Sequence, residues 1–428
     1  MDKFDVIAAC VIFLAAYVLI ATEKINRVAV ALGGAGLMLI LRITDAHHVF
    51  FDEATGIEWN VIFLLLGMMV IVGVLRPTGV FEFVAIWAAK RGRGRPFRVM
   101  VLLIVITALA SALLDNVTTV LLVVPVTLLI CKRLDVSPVP FLLAEVFASN
   151  IGGASTLVGD PPNIIIAAKA NLTFNDFLVH MAPIAIVLVA VLIGLSWLLF
   201  GRKMSVDSER AEAIMRLSEK EAIRDRTLLV KAGVVLVAVL AAFVLHPVLH
   251  YEPSIVALLG AGILVMITKL DPAEAMRDVE WHTLAFFAGL FIMIGGLVNV
   301  GVIGELSAAA GNAVGDNLPL AAGVLVWGSG VLSAIVDNIP YVASMSPIVV
   351  DLVGGDPDRN VLWWSLALGA DLGGNATIIG ASANVVVAGI AARNGHPIGF
   401  WKFAKYGVVV TVITLAISHA YIWLRYLA

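Results

Sequence analysis

Four apolar stretches, residues 99–131, 139–169, 318–351 and 361–392, are each too long to be one straight membrane helix. At about 1.5 Å of rise per residue they would reach ~45–50 Å, against a hydrocarbon core of about 30 Å. Each is interrupted near its middle by Gly, Asp, Asn or Pro. A chain with this pattern must break those helices or fold them back on themselves. Irregular backbone persists at membrane depth only where protein or enclosed water satisfies its N–H and C=O groups. The interrupted stretches are therefore where polar chemistry can sit inside the bilayer.

Ordinary spans of roughly 20 apolar residues surround them, near 4–22, 25–43, 58–76, 180–200, 227–247, 253–270, 281–300 and 403–424. With 61% apolar and 14% charged residues and a mean hydropathy of +1.01, the chain is an all-α polytopic membrane protein and not a soluble domain. The start has no basic leader or small-residue cleavage site, so the first span is expected to be retained. Two cysteines, Cys10 and Cys131, suit apolar packing and cannot build a disulfide framework or a thiolate metal site. No GxxxxGK[ST] is present, so a P-loop does not power this chain, and neither metal nor cofactor is expected. An intramembrane enzyme is disfavoured, since no His-Glu-x-x-His or Ser/Lys pair lies at membrane depth.

The chain is an internal duplication. Glu58-Trp59-Asn60 recurs as Glu280-Trp281-His282, Gly67 and Gly73 as Gly289 and Gly295, Asp115-Asn116 as Asp337-Asn338, and Pro125 as Pro347, all at one offset. One residue is then lost, and Gly152-Gly153, Thr156, Gly159 and Asn163 recur as Gly373-Gly374, Thr377, Gly380 and Asn384. The division is residues 1–200 for the first repeat, 201–226 for a linker and 227–428 for the second repeat. The linker carries seven basic and six acidic residues and reads as a surface connector, with Ala211, Ile214, Leu217 and Ile223 as an apolar stripe.

If 99–131 and 318–351 are re-entrant hairpins and 139–169 and 361–392 are broken spans, each repeat crosses five times and the two are inverted. The loops at 76–98, 132–133, 201–226 and 393–405 then share one face. All but five of the 28 Lys and Arg lie on that face, the exceptions being Lys3, Arg42, Lys169, Arg359 and Arg425. The positive-inside rule makes it cytoplasmic and puts both termini outside. Parity alone also allows 139–169 to be the hairpin and 99–131 the span.

The chemistry-bearing motifs are paired. The first half has Asp115-Asn116-Val117-Thr118-Thr119 and a stretch from Asn150 through Gly152, Gly153, Ser155, Thr156 and Asp160 to Asn163. The second has Asp337-Asn338 and a stretch from Asp371 through Gly373, Gly374, Asn375, Thr377 and Ser382 to Asn384. Asp115 and Asp337 can cap returning hairpin arms, and Asp160 can cap a helix opened by Pro161. The Gly-Gly stretches then become unwound links whose helix ends converge near mid-membrane on a small polar solute or ion. Ionisable residues inside spans are costly and usually functional, which favours a transport role for the four aspartates. The buried asparagines also suit plain satisfaction of exposed backbone. Glu145, a turn before the break, fits a proton relay or internal pairing equally. His180, His246, His282 and His419 fall at span ends, where interfacial placement is the commoner role.

These motifs resemble the arsenite-efflux and sodium–proton antiporter (ArsB/NhaD) branch of the ion-transporter superfamily, which also holds the pigmentation P protein. The resemblance covers nearly the whole chain. It implies a scaffold of outer helices, two hairpins meeting from opposite faces with Asp115-Asn116 and Asp337-Asn338 at their tips, and elevator movement of the substrate domain. Related dicarboxylate carriers have Ser-Asn-Thr at the tip, where this chain has an aspartate. Ala381-Ser382-Ala383-Asn384 also lacks the Asp-Pro-Pro of the first half, so the two half-sites are not equivalent.

Four acidic groups disfavour a di- or tricarboxylate cargo and suit a proton, sodium, or a neutral hydroxylated solute such as trivalent arsenic. The expectation is a secondary transporter in the plasma (inner) membrane that exports arsenite or antimonite in exchange for protons, with sodium–proton antiport as the alternative. Its partners are the lipid bilayer and a small inorganic solute or ion. The architecture also admits a soluble ATPase subunit on the basic face and a homodimer. Nucleic acid is not expected.

Overall fold

The computed structural model describes residues 3–22, 25–52, 55–201, 204, 215, 218–315 and 317–428. Most of the linker's apolar stripe (Ala211, Ile214 and Leu217) falls outside them. Among the described residues every regular element is helical.

The first half contains α1 (Lys3–Thr22), α2 (Arg27–Ile40), α3 (Trp59–Leu75), α4 (Val80–Arg91), α5 (Pro96–Leu113), α6 (Asn116–Leu134), α7 (Val139–Gly153), α8 (Pro161–Ala170) and α9 (Ala182–Leu199). The second repeats the order with α10 (Arg226–Val244), α11 (Pro253–Thr268), α12 (Trp281–Asn299), α13 (Val302–Val314), α14 (Leu318–Ile335), α15 (Asn338–Val353), α16 (Val361–Gly373), α17 (Ser382–Arg393) and α18 (Phe400–Ile422). α4 and α13, with 12 and 13 residues, are too short to cross. Each half thus has five spans, a hairpin and a broken helix, and an odd count inverts the second half relative to the first.

Local sequence sets the helix ends. Asn26 accepts from Val28 N at 2.9 Å and Asp225 from Leu228 N at 2.8 Å, so α2 and α10 begin on side-chain caps. Pro96 and Pro253 open α5 and α11, where a missing N–H leaves nothing unpaired.

The hairpin arms run slightly beyond the apolar stretches that announce them, and length does not distinguish them from spans. Pro96–Leu113, Asn116–Leu134 and Leu318–Ile335 are among nine described helices long and apolar enough to cross. What marks the hairpins is the turn. Leu114-Asp115 and Val336-Asp337 reverse the chain, and each tip closes on an interior link: Thr156 Oγ1 donates to Ala112 O at 2.5 Å and Thr377 Oγ1 to Ala334 O at 2.6 Å.

Glycine permits the tightest crossings, and it does so twice over. A Cβ on Gly67 would lie 2.6 Å from the Ala257 backbone, and one on Gly289 would lie 2.7 Å from that of Ala31. Deeper in the molecule Gly152 meets Ala108 and Gly373 meets Gly330 in the same way. Small residues let membrane helices approach closely enough for dispersion to hold them without a hydrophobic driving force. α1–α3 and α10–α12 form an outer set, while the hairpins and broken helices form an inner one in which α6 packs on α17 and α15 on α8.

Three ion pairs gather the basic loops on one face. Arg76 reaches Asp278 at 3.1 Å, Lys90 reaches Glu219 at 2.5 Å and Arg224 reaches Glu82 at 3.4 Å. The Lys90 ammonium holds the half-buried Glu219 carboxyl below the usual range, so this clasp of linker to α4 persists into mild acid.

Candidate functional site

Both hairpins deliver their Asp-Asn pair as a helix opening. Asp115 accepts from Thr118 N at 2.9 Å and also takes the Thr118 hydroxyl, while Asp337 accepts from Ile339 N at 3.1 Å. The caps free the following asparagines to face inward. Asn116 Nδ2 donates to Asp160 Oδ2 at 2.8 Å, and Asn338 Nδ2 approaches the same oxygen at 3.4 Å. Asp160 is fully buried and makes no capping bond to α8, contrary to the expectation from Asp-Pro-Pro. Its carboxylate instead turns to the place where the two hairpin tips meet. Ala381 stands at the matching position, so one half supplies the charge there.

The broken helices meet through amides. Asn150 Nδ2 donates to Asn375 Oδ1 at 3.0 Å and to Asn384 Oδ1 at 3.1 Å, and Asn116 reaches Asn150 Oδ1 at 3.4 Å. Asn163 and Asn384 staple their own unwound links: Asn163 Nδ2 donates to Gly153 O and Thr156 O, and Asn384 Nδ2 to Gly374 O and Thr377 O. Backbone carbonyls freed by the break are thus paired, as interior backbone at this depth requires. Ser155 donates to Gly152 O at 2.5 Å, a bond internal to the link. Gly152, Gly153, Gly373 and Gly374 shape the crossing; side chains there would collide with backbone.

Several polar atoms stay unspent at this crossing. Asp160 Oδ1, Asn163 Oδ1, both carboxylate oxygens of Asp371 and Asn375 Nδ2 are buried with no hydrogen-bond partner among the described residues, as is the Thr119 hydroxyl. An unsatisfied buried group costs about 1–3 kcal/mol, so so many together mark a place built to hold something. Asp160 lies within electrostatic reach of Asp371, Asp337 and Asp115. The inventory is mostly acceptor oxygen, which suits a proton, a small cation or a solute with hydroxyl donors.

The structure adds residues that motif reading passes over. Arg27, at the start of α2, donates to Ser382 Oγ at 2.7 Å and lies 3.5 Å from Asp337 Oδ2, with its guanidinium over the Phe286 ring. Ser382 in turn donates to Asp337 at 2.6 Å. Nothing in the linear sequence near Arg27 announces this role. Ser111 and Ser333 carried a readable signal, since they obey the repeat offset. Ser111 Oγ donates to Ser149 O at 2.7 Å and Ser333 Oγ to Ala370 O at 2.6 Å, joining each hairpin to its broken helix.

Two cavities open at repeat-related positions, and the first of them reaches residues of the crossing. One, of about 480 Å³, is lined by Arg27, Glu280, His282, Asp337 and Ser382. The other, of about 840 Å³, is lined by Glu58, Asn60, Lys169 and Asp351, with Lys169 paired to Glu58. Glu58 and Glu280, like Asn60 and His282, are equivalents, so inversion places the openings on opposite faces.

Inverted repeats, broken helices and a buried polar crossing between opposed cavities define a multi-pass membrane transporter, not an enzyme. The chain belongs to the citrate transporter (CitMHS) family of the ion-transporter superfamily, whose profile matches residues 17–369. It is 57% identical over 423 residues to an uncharacterized transporter of Mycobacterium tuberculosis, covering 98% of both chains. It is 54% identical over 424 residues to a 46 kDa membrane protein of Mycobacterium leprae, covering 98% of this chain and 99% of that one. The P protein of Homo sapiens is 32% identical over 500 residues, which span 98% of this chain and 60% of that protein. The fold is similar to the crystal structure of the Alcanivorax borkumensis YdaH transporter, with a TM-score of 0.60, 14% identity and coverage of 85% and 84% of the two chains.

Proposed function

We propose that this chain is a proton-coupled exporter of a small neutral hydroxylated solute across the plasma (inner) membrane, with arsenite and antimonite as the solutes that fit best. The observation that carries the reading is the unspent acceptor set at the crossing of the two halves. Trivalent arsenic is mostly the uncharged trihydroxide at neutral pH, and its three O–H groups are donors that such acceptors would take up. Two cysteines rule out a three-thiolate arsenic site. The family's description names citrate, yet a tricarboxylate would meet Asp115, Asp160, Asp337 and Asp371 with Arg27 as counter-charge. Like charges in a low dielectric repel by several kcal/mol, and the balance goes against citrate.

In this reading the inner set of helices moves against the outer set, as in the ArsB/NhaD branch. The contacts Arg27–Asp337 and Lys169–Glu58 join the two sets on opposite faces and would alternate. The basic face is cytoplasmic by the positive-inside rule, which leaves both termini outside. A second reading, sodium–proton antiport, is favoured by the same oxygens, since a hard cation also takes carboxylate and amide oxygen ligands.

Everted vesicles energised to be acidic inside test the choice. They are expected to accumulate trivalent arsenic without sodium, and collapse of the gradient is expected to abolish it. If sodium discharges the gradient with saturable kinetics while arsenic stays out, antiport replaces export. Gradient-dependent accumulation of citrate in place of arsenic would overturn both.

A further inference from the structure

Glu145 lies on α7, away from the crossing, and is 1% exposed. Oε1 accepts the Thr127 hydroxyl of α6 at 2.6 Å, while Oε2 is buried without a partner among the described residues. The helices packed against α7 are α5, α6, α9, α16, α17 and α18. From these the carboxyl meets Thr127 and, within electrostatic reach, the Cys131 thiol; no described charged group is placed against it. An ionised carboxylate with no cation near it is very costly in such surroundings, whereas a free oxygen with room for a proton is not.

The duplication supplies an internal control. The equivalents of Thr127 and Glu145 are Val349 and Leu366, both fully buried. The fold therefore fills this place with two apolar side chains in one half and with a hydroxyl and a carboxyl in the other. Packing does not require the acid. Cys131, its neighbour, lines a cavity of about 600 Å³ together with Lys132, Asp135, Asn394 and His396, at the basic end of the first hairpin. The Cys131 side chain thus stands between that cavity and the acid. Asn150, which binds across the crossing, stands on the same helix as Glu145.

We propose that Glu145 is a second proton-carrying site, separate from the carboxylates at the crossing and loaded from the cavity at the basic end of the first hairpin. The proposal rests on the proton-coupled reading above. One proton moves from cavity water to Oε2, and the same proton leaves by the same oxygen when the helix repositions.

Two measurements on the full-length protein in lipid test it. Infrared spectra at neutral pH are expected to show one protonated-carboxyl stretch in the wild type that Glu145→Gln lacks, with the amide bands unchanged. Identical carboxyl regions in the two proteins would overturn the proposal. In proteoliposomes Glu145→Gln is expected to retain arsenite exchange at equilibrium. Each pH unit of gradient should then accumulate about tenfold less arsenite, because one lost proton forfeits one unit of driving force. Accumulation equal to wild type would also overturn it. The double variant Thr127→Val with Glu145→Leu copies the second half, so it is expected to fold and to show the same loss. Accumulation equal to wild type in that variant would count against the proposal. The infrared result needs no solute, so a wrong cargo and a wrong proton site give different outcomes.

Discussion

Asn150 of the first half donates one nitrogen to both Asn375 and Asn384 of the second, at 3.0 and 3.1 Å. The two broken helices are thereby joined beside their breaks, where all three side chains are fully buried. Asn150→Ala leaves two buried carbonyl oxygens without that donor. A loss of ~1–3 kcal/mol in thermal or denaturant stability is expected. A melting curve in detergent that overlays the wild type would show that the halves are held together elsewhere.

Asp160 and Asp115 separate charge from capping. Asp115→Asn keeps an acceptor for Thr118 N, and Asp337→Asn keeps one for Ile339 N, so both variants are expected to insert and fold. Asp160 caps nothing and gathers the amides of both tips. Asp160→Asn is therefore expected to keep the fold and abolish proton-coupled transport, as hairpin-tip variants also should. Wild-type rates in Asp160→Asn would reduce the crossing to a structural knot.

Arg27→Gln tests the contact between outer and inner helices. The guanidinium is about one-third exposed, at 31%, so solvent screens it and its removal should cost little stability, on the order of 1 kcal/mol or less. What it should change is competition: without Arg27, Asp337 is open to an external cation. The half-saturating concentration of the coupling ion is expected to fall, with the maximal rate altered less. An unchanged half-saturation would make Arg27 a passive neighbour.

Gly152→Ala puts a Cβ 2.2 Å from the Ala108 carbonyl oxygen, a backbone atom that cannot rotate away. Overpacking of that kind typically costs about 1–3 kcal/mol. Gly194, with nothing within 4 Å, is the control, and Gly194→Ala is expected to be neutral or slightly stabilising. Equal effects at the two sites would contradict the tight crossing of α5 and α7.

The distribution of Lys and Arg makes the sidedness an expectation that labelling can test. With Cys10 and Cys131 replaced, single cysteines at Ser208 and Gly315 are expected to react with an impermeant thiol reagent from opposite sides of the membrane. Labelling of both from one side would break the five-span inverted repeat.

The sequence determined the elements because a membrane leaves few alternatives. Spans must be about 20 apolar residues long, breaks at depth must be polar or Gly-rich, and a duplication repeats its glycines, so the four interrupted stretches, their Gly-Gly links and their Asp-Asn motifs were readable from the linear pattern, whereas which stretch of each half turns back was not. Tertiary structure alone decided which tips serve which carboxylate. Asp160, expected to cap its own helix, draws Asn338 from 178 residues away, and Arg27 reaches Ser382 across 355. Such pairings depend on how the two inverted halves are rotated together. That rotation is set by close contacts such as Gly67 on Ala257 and Gly289 on Ala31, which no local propensity encodes.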